Sequence, residues 1–176
     1  MADRGLTGVL LVGGDSTRFG SPKALALLEG KTLAEIAWAT LAFCDERIAV
    51  GKAADRLELP FPVVDDGTDV RAPIAGLVAG LRGAANDVCV VLPVDLPRIR
   101  RQDLVSLADA CRDAAVPQTG PLPGAYRSSA LPVLERRLAA GELALRSALD
   151  ELDVQLVRLP SEALANVNTP DDLHRI

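Results

Sequence analysis

Histidine and cysteine are scarce in this chain, and their placement excludes several classes of catalyst. The single histidine, His174, lies near the end of the 176-residue sequence, where a polar residue of a terminal helix is the simpler interpretation. A Ser-His-Asp triad or a histidine metal site therefore has little support. Cys44, Cys89 and Cys111 lie far apart without Cys-x-x-Cys spacing, so neither a zinc site nor a redox dithiol is predicted.

Aromatic residues, excess positive charge and long apolar segments are also lacking. Only 3% of the residues are aromatic although 49% are hydrophobic, so a folded core must be packed by aliphatic side chains. The net charge of −5 gives no basic surface of the kind that binds long nucleic acids. The amino terminus has no apolar signal segment, and no run approaches the roughly 20 apolar residues of a membrane span. We therefore expect a cytoplasmic protein with no nucleic-acid or membrane partner.

The chain's length and hydrophobic pattern indicate one α/β domain over residues 1–176. Strand-like apolar runs alternate with amphipathic segments. The patterns predict strands over residues 7–12, 47–50, 62–64 and 87–92, and helices over residues 31–43, 74–81 and 101–113. The last of these strands is a continuous apolar run, typical of burial on both faces of a parallel sheet. We therefore predict an α/β fold with three layers.

The last third of the chain has a less regular pattern. Residues 118–124 form a proline- and glycine-rich loop, which predicts a lid or an edge of a substrate site. Thr169 and Pro170 are typical of a helix start, with threonine as the N-cap. The pattern predicts helices over residues 129–140, 142–152 and 170–176, and a strand over residues 154–159.

One loop near the start carries most of the chemical information. Residues 13–23, with the sequence GGDSTRFGSPK, directly follow the first predicted strand. Glycines let backbone N–H groups approach an anion closely. Arg18 can bind phosphate oxygens through two parallel donors, and Lys23 supplies a point charge. The loop is therefore predicted to hold a polyphosphate.

The spacing within this loop differs from that of the two common phosphate loops. A Walker A loop ends in Gly-Lys-Ser/Thr, whereas here Gly20 is followed by Ser-Pro-Lys. The Gly-x-Gly-x-x-Gly spacing of a dinucleotide site is also missing. The pattern present is Leu-x-Gly-Gly-x-Ser-x-Arg-x-Gly-x-x-Lys, from Leu11 to Lys23. An incidental glycine-rich surface turn is the alternative interpretation.

A carboxylate follows the central predicted strand. Asp95 lies in the sequence Leu-Pro-Val-Asp-Leu-Pro, just past residues 87–92. In open α/β sheets, ligands bind outside the carboxyl ends of the strands, so Asp95 and the loop after the first strand should share one edge. Mg²⁺ prefers carboxylate and phosphate oxygens, which makes Asp95 the predicted metal ligand. A turn aspartate before a proline is the alternative.

Two further segments carry candidate site residues. Asp66 also follows a predicted strand, where it could hydrogen-bond a nucleotide base, support the loop cations, or form an ordinary Asp-Gly turn. Residues 72–76 are typical of a helix N-terminus that can face an anion. Asn166 and Asn168 precede the closing helix, and capping alone does not explain their amides, which could reach an edge of the site.

Together these segments resemble the molybdenum cofactor guanylyltransferase family of nucleotidyltransferases. The resemblance covers nearly the whole chain. It rests on the loop from Leu11 to Lys23, on Asp-Gly followed by Ala-Pro-Ile-Ala-Gly, on Pro-Val-Asp-Leu-Pro at residues 93–97, and on Asn-Val-Asn-Thr-Pro at residues 166–170. It implies a three-layer α/β/α, Rossmann-like nucleotidyltransferase domain with a mainly parallel central sheet. The implied reaction transfers GMP from GTP to molybdopterin, releases pyrophosphate and uses Mg²⁺.

The resemblance also implies roles for individual residues. Those implied to contact the nucleotide lie at strand ends or in the loop: Leu11, Val12, Gly13, Gly14, Lys23, Asp66 and Asp95. Arg18, Lys23 and Asp95 are implied to be catalytic, with Asp95 also binding Mg²⁺. On the substrate side the candidates are Asn166 and Asn168.

The chain departs from the family at one position near the base, where Gly51 replaces an asparagine that the family often has. CTP with molybdopterin, or another NTP with a sugar or alcohol phosphate, therefore stays open as the substrate pair. A non-catalytic nucleotide-binding regulator is the alternative of another class. The resemblance further implies protein partners of molybdenum cofactor biosynthesis, because free molybdopterin is unstable and would be handed over.

Overall fold

The computed structural model describes residues 5–13 and 20–175. Within these residues the main strands are β1 (Leu6–Leu11), β2 (Leu27–Leu28), β3 (Lys31–Thr32), β4 (Glu46–Gly51), β5 (Val63–Asp65), β6 (Val88–Pro93), β7 (Ala114–Pro117), β8 (Gly124–Arg127) and β9 (Val154–Val157). The α-helices are α1 (Leu33–Thr40), α2 (Pro73–Gly83), α3 (Arg101–Ala110), α4 (Leu131–Ala139) and α5 (Leu145–Ala148).

Seven of these strands form one sheet in the order β5-β4-β1-β6-β8-β7-β9, and β2 pairs with β3 in a separate hairpin. The strands of the sheet run parallel except for β8, which is antiparallel to both of its neighbours. Leu11 is in register with Val50 on one side and with Pro93 on the other. The carboxyl ends of β1, β4 and β6 therefore end at the same edge of the sheet.

Helices cover both faces of the sheet and create two hydrophobic clusters. Side chains alternate between the faces along a strand, so Leu10 packs into one cluster while Val9 packs into the other. The first cluster includes apolar residues of α1 and α3, and the second includes those of α2, α4 and α5. The three-layer α/β/α fold with a mainly parallel sheet is thus confirmed.

The structure corrects several predicted boundaries. Helix α1 begins at Leu33 rather than at residue 31, because Thr32 and Glu35 form a reciprocal capping box at its start. Residues 41–43 continue it as a 3₁₀ turn. Helix α3 ends at Ala110, and the helix predicted over residues 142–152 is reduced to the single turn of α5 and a following 3₁₀ turn.

Strands β7 and β8 were absent from the sequence prediction. Both are four residues long, and both contain small residues that carry little strand propensity, such as Ala114, Ala115 and Ala125. Their stability comes from pairing with distant strands, because β8 fills the position between β6 and β7.

The closing helix predicted over residues 170–176 is a short 3₁₀ helix, Pro170–His174. Thr169 is its N-cap as predicted, and its hydroxyl accepts a hydrogen bond from the backbone N–H of Asp172 at 3.3 Å. No helix within the described residues is long and apolar enough to cross a membrane. The organisation of residues 1–176 as one domain stays a prediction.

Candidate active site

A cavity of about 290 Å³ opens at the carboxyl edge of the sheet, between the ends of β1, β4 and β6 and the start of α2. Six of the residues predicted for the site line it: Leu11, Val12, Gly13, Lys23, Asp66 and Asp95. Gly14 and Arg18, which the sequence also assigned to the site, lie outside the described residues. Asn166 and Asn168, the candidates on the substrate side, are both exposed, and neither is part of the cavity wall.

Lys23 lies between two of the other predicted site residues. It begins the 3₁₀ turn Lys23–Leu25, directly after the loop. Its ammonium Nζ is 3.6 Å from Oδ2 of Asp95 and donates a hydrogen bond of 3.3 Å to Oδ1 of Asn168. The structure therefore brings together one residue from each of three segments that are far apart in the chain.

The backbone around Asn168 is held in place by hydrogen bonds to Asp95 and Asp172. The N–H of Val167 donates to the carbonyl oxygen of Asp95 at 2.9 Å. The carboxylate of Asp172 accepts hydrogen bonds from the N–H groups of Asn168 and Thr169, at 2.9 and 2.8 Å. These bonds lower the pKa of Asp172 below its usual value, because they favour the ionised form. The carboxyl-terminal segment is thereby fastened to the loop that carries Asp95.

Asp95 lies in a partly dehydrated position. Burial raises the pKa of the Asp95 carboxyl above its usual value, and the positive charge of Lys23 offsets only part of this effect. A further cation beside a buried carboxylate is electrostatically favourable, because it offsets the cost of burying the charge. The charge balance at Asp95 thus fits a cation site completed by a ligand.

A second lysine–aspartate pair, Lys52 and Asp66, lines the same cavity, and sequence reasoning missed its lysine. Nζ of Lys52 is 2.7 Å from Oδ1 of Asp66 and 2.7 Å from the carbonyl oxygen of Val70, and it also donates to the carbonyl oxygen of Thr68. The available signal was the position of Lys52 immediately after the second strand of the parallel sheet, at the edge where ligands bind.

Two glycines allow the cavity walls to approach each other closely. A Cβ atom on Gly51 would lie 2.8 Å from Cγ2 of Val12, and one on Gly76 would lie 2.9 Å from Cδ2 of Leu11. Both distances are shorter than any normal carbon contact. The family's asparagine at position 51 could be accommodated here only if Val12 moved.

The N-terminus of α2 also lies at the cavity wall, where its dipole favours a bound anion. Ala72 is its N-cap and makes no side-chain capping bond, and Pro73 follows at the first helical position. Ala72, Pro73 and Gly76 all line the cavity. Pro73 has no N–H and the N–H of Ala75 donates to the carbonyl oxygen of Ala72 at 3.0 Å, so the attraction for negative charge here comes chiefly from the dipole of α2. Residues at this helix start line the cavity, and their role toward an anion stays a prediction.

The loop after β7 forms a fixed wall of the cavity through Leu122. The Gln118 side chain exchanges two hydrogen bonds with the backbone of Leu159, at 2.7 and 3.0 Å. The buried Tyr126 hydroxyl donates to the carbonyl oxygen of Pro121 at 2.6 Å, and Arg146 donates to that of Thr119 at 2.9 Å. Of the two predicted roles for residues 118–124, this anchoring favours a substrate edge over a lid.

Among residues 5–13 and 20–175, no three metal-ligating side chains cluster. A metal ion at this site would therefore depend on Asp95 together with oxygens of a bound ligand. That arrangement is typical of Mg²⁺ in nucleotide enzymes, which keeps one or two carboxylates and takes its remaining ligands from phosphates and water.

Comparisons with known proteins agree with this geometry. The family model described as a MobA-like NTP transferase domain matches residues 8–156. The chain is 36% identical to a probable molybdenum cofactor guanylyltransferase from Deinococcus radiodurans, over 96% of this chain and 92% of that protein. A protein of the same description from Rhodopirellula baltica is 33% identical over 96% of this chain and 90% of its own length. The crystal structure of molybdopterin-guanine dinucleotide biosynthesis protein A from Archaeoglobus fulgidus superposes with a TM-score of 0.80 at 28% identity, covering 96% of this chain and 95% of that one.

Proposed function

The chain belongs to the family of MobA-like NTP transferase domains, and we propose that it transfers GMP from GTP to molybdopterin and releases pyrophosphate. The observation that carries this proposal is that Lys23 and Asp95 meet at one cavity while Asn168 holds Lys23 from outside its wall, each in a segment that resembles a family motif. The names of relatives that match over nearly their whole length support the choice of substrates.

In the proposed reaction a phosphate oxygen of the acceptor attacks the α-phosphorus of GTP. A new P–O bond forms to the acceptor as the bond between the α-phosphorus and its bridging oxygen breaks, and that oxygen leaves with pyrophosphate. A phosphate nucleophile is already ionised near neutral pH, so the chain needs no general base. Positioning and charge neutralisation therefore carry most of the catalysis.

The chain's own residues divide these tasks between the walls of the cavity. Lys23 supplies positive charge beside the phosphates, and the predicted role of Arg18 is the same. The positive end of the α2 dipole lies at the cavity wall and favours an anion there. Asp66 holds the nucleoside, while Asn168 orients Lys23 through its hydrogen bond. Leu11, Val12 and Gly13 form the apolar floor at the end of β1.

A divalent metal, which we propose is Mg²⁺, fits the residues that are present. Asp95 is a single, partly buried carboxylate whose charge Lys23 only partly offsets, and it lines the same cavity as the proposed phosphate donors. Mg²⁺ held there would neutralise charge on phosphate oxygens. Asp95 is the residue that would hold it.

The base and the acceptor are the finer parts of the proposal. Because Gly51 has no side chain, the end of β4 offers no side-chain hydrogen bond to the nucleotide base. Selection of the base would therefore depend on Asp66 and on backbone groups. CTP with molybdopterin is therefore the nearest alternative, followed by another NTP with a sugar or alcohol phosphate. A nucleotide-binding regulator without turnover is disfavoured, because Lys23 and Asp95 both line the cavity.

The test is an end-point assay with purified protein, Mg²⁺ and molybdopterin, run in parallel with GTP, CTP, ATP and UTP. We expect pyrophosphate and the guanine dinucleotide to form with GTP at a rate at least about tenfold above that with CTP. Glucose 1-phosphate and glycerol 3-phosphate replace molybdopterin in control reactions. Turnover with CTP alone, or only with a sugar or alcohol phosphate, would replace this proposal with the corresponding alternative. Nucleotide binding without pyrophosphate release from any acceptor would identify a regulator.

A further inference from the structure

We propose that Lys52 is a positioning residue for the nucleoside, acting through Asp66 and not through the phosphates. This inference rests on the proposed function, because it assigns Asp66 to the nucleoside side of the cavity. Lys52 follows β4 directly, and its side chain extends beneath the loop that connects β5 to α2. Residues 66 and 70–72 of that loop line the cavity.

The ammonium of Lys52 has no donor capacity left for a ligand. An ammonium carries three N–H donors. Oδ1 of Asp66 and the carbonyl oxygens of Thr68 and Val70 accept all three, within a loop of five residues. The side chain is only 11% exposed. Contact with a phosphate would require one of these bonds to break in a poorly hydrated position, which is costly.

The bonds made by Lys52 leave one oxygen of Asp66 available. Oδ1 accepts from Lys52 at 2.7 Å and from the backbone N–H of Thr68 at 3.2 Å. The backbone N–H of Asp66 itself donates to the carbonyl oxygen of Gly51 at 3.0 Å. Within the part of the chain that the structure describes, no protein group donates to Oδ2. This oxygen belongs to a residue on the cavity wall and can accept from a ribose hydroxyl or from an amino group of a base.

The neighbouring aspartate strengthens the same arrangement. Oδ2 of Asp65 accepts from the N–H of Ala53 at 2.6 Å, and its Oδ1 accepts from the N–H of Gly67 at 2.7 Å. Gly67 has a φ of 75°, a left-handed conformation that favours glycine. The loop is therefore held at its start by Asp65 and around its centre by Lys52. The orientation of the Asp66 carboxylate depends on both.

The first experiment compares the affinities of GTP and GMP for the wild type and for Lys52→Met, measured by calorimetry. If Lys52 acts through Asp66, both nucleotides lose affinity by the same factor, at least about tenfold, because they share the nucleoside. The kcat at saturating GTP should stay within about twofold, since the phosphates are held elsewhere. A loss for GTP that is much larger than the loss for GMP would show a phosphate contact and would overturn the proposal.

The second experiment is a double-mutant cycle with Asp66→Asn. The variant Lys52→Met/Asp66→Asn should bind nucleotide as weakly as Asp66→Asn alone, because Lys52 has no separate contact to lose. Additive losses, or no loss in Asp66→Asn, would contradict the proposal. Lys52→Met alone leaves the buried Asp66 carboxylate unpaired, which can impair folding. In the double variant this carboxylate is replaced by an uncharged amide, so the comparison with Asp66→Asn still tests the proposal. Lys31→Met is the matched control, because Lys31 is exposed in the β2–β3 hairpin and should bind as the wild type does.

The proposed function and this inference fail in different ways. If the wild type binds CTP and CMP instead of GTP and GMP, the guanylyl assignment is wrong. The same cycle with CTP and CMP then tests Lys52, since the proposal concerns the nucleoside and not its base. If the wild type transfers GMP but Lys52→Met binds GTP and GMP normally, the function stands and the role of Lys52 is overturned.

Discussion

The two lysine–aspartate pairs on the cavity wall differ in almost every physical respect. Lys23 and Asp95 are 3.6 Å apart, with side chains 20% and 23% exposed. Lys52 and Asp66 are 2.7 Å apart, with side chains 11% and 6% exposed. The first lysine also donates to the side chain of Asn168, whereas the second donates to two backbone carbonyl oxygens.

This difference separates a pair that can respond to a ligand from a pair that shapes the protein. A long, partly hydrated contact contributes little to folding and can be rearranged at small cost when phosphates and a metal arrive. A short, buried contact with every donor used is costly to disturb, because removal of one partner leaves the other charge unpaired. Similar residues at one site can therefore have opposite roles, and substitutions should distinguish them.

Asp95→Asn should have the largest effect on activity. It removes the only carboxylate that we assign to the metal and so removes charge neutralisation at the reacting phosphates. We expect the rate of pyrophosphate release to fall on the order of 100-fold or more at saturating Mg²⁺. Steady-state assays across a Mg²⁺ titration provide the measurement. Unchanged Mg²⁺-dependent turnover would remove Asp95 from the metal site.

The same substitution should raise stability, because of the sign of the pKa shift at Asp95. Burial raises the folded-state pKa above that of the unfolded chain, so the folded protein binds this proton more tightly. The protonated Asp95 carboxyl contributes fully to stability below its pKa in the unfolded chain. This contribution is lost as the pH rises through its pKa in the folded protein. At neutral pH the Asn variant should therefore have a higher melting temperature than the wild type. The difference in melting temperature between the two proteins should disappear as the pH falls toward about 3.9, the ordinary pKa of aspartate.

Lys52→Met should have the largest effect on stability. It leaves the 6%-exposed Asp66 carboxylate without its counter-ion and leaves two backbone carbonyl oxygens without a donor. The free energy of unfolding should fall by about 3 kcal/mol. Urea unfolding followed by the fluorescence of Trp38, the single tryptophan, measures this change. A loss no larger than that of the exposed Lys31→Met control would show that the pair is not structural.

Lys23→Ala should weaken nucleotide binding with little effect on folding. A charge beside the phosphates contributes about 1.5 kcal/mol, so the affinity for GTP should fall roughly tenfold. The affinity for guanosine should not change, because guanosine carries no phosphate. Stability should change by less than about 1 kcal/mol, as expected for a partly exposed pair. An unaltered affinity for GTP would exclude Lys23 from the triphosphate site.

Asn168→Ala should have the smallest effect of the series. It removes one exposed hydrogen bond of 3.3 Å to Lys23, while Asp172 still holds the backbone of the segment. We expect kcat/KM to fall by roughly threefold to tenfold, since the bond orients a charge that remains present. Asn166→Ala is the matched control, because Asn166 is likewise exposed in the same segment but is not the asparagine that bonds to Lys23. Equal losses in the two variants would show that neither acts through Lys23.

The sequence predicted the parts of the fold that local patterns encode. The apolar run at residues 87–92 correctly predicted β6 as a buried parallel strand, and the spacing at residues 74–81 correctly predicted α2. Strands β7 and β8 could not be found in this way. Their alanines and glycine have no strand pattern, and their burial depends on strands that are remote in sequence.

The candidate site likewise contains residues that local sequence patterns predict and residues that only contacts between remote segments identify. Lys23, Asp66 and Asp95 were predicted because each lies in a motif or after a strand, and the structure places all three on one cavity. Their catalytic and binding roles remain predictions. Lys52 has no motif, and its importance arises from three acceptors that the β5–α2 loop brings to it. Asn166 lies in a recognisable motif, yet it is exposed and does not line the cavity.

By itself the sequence determined the layer architecture, the edge of the sheet that carries the site and the resemblance to nucleotidyltransferases. These properties follow from hydrophobic periodicity and from short motifs, which act over a few residues. Only the tertiary structure decided which charged pair is long and partly exposed and which is short and buried. That distinction depends on distance, burial and the number of acceptors around each ammonium. Those quantities are set by contacts between segments such as Lys23 with Asn168, which lie 145 positions apart in the chain.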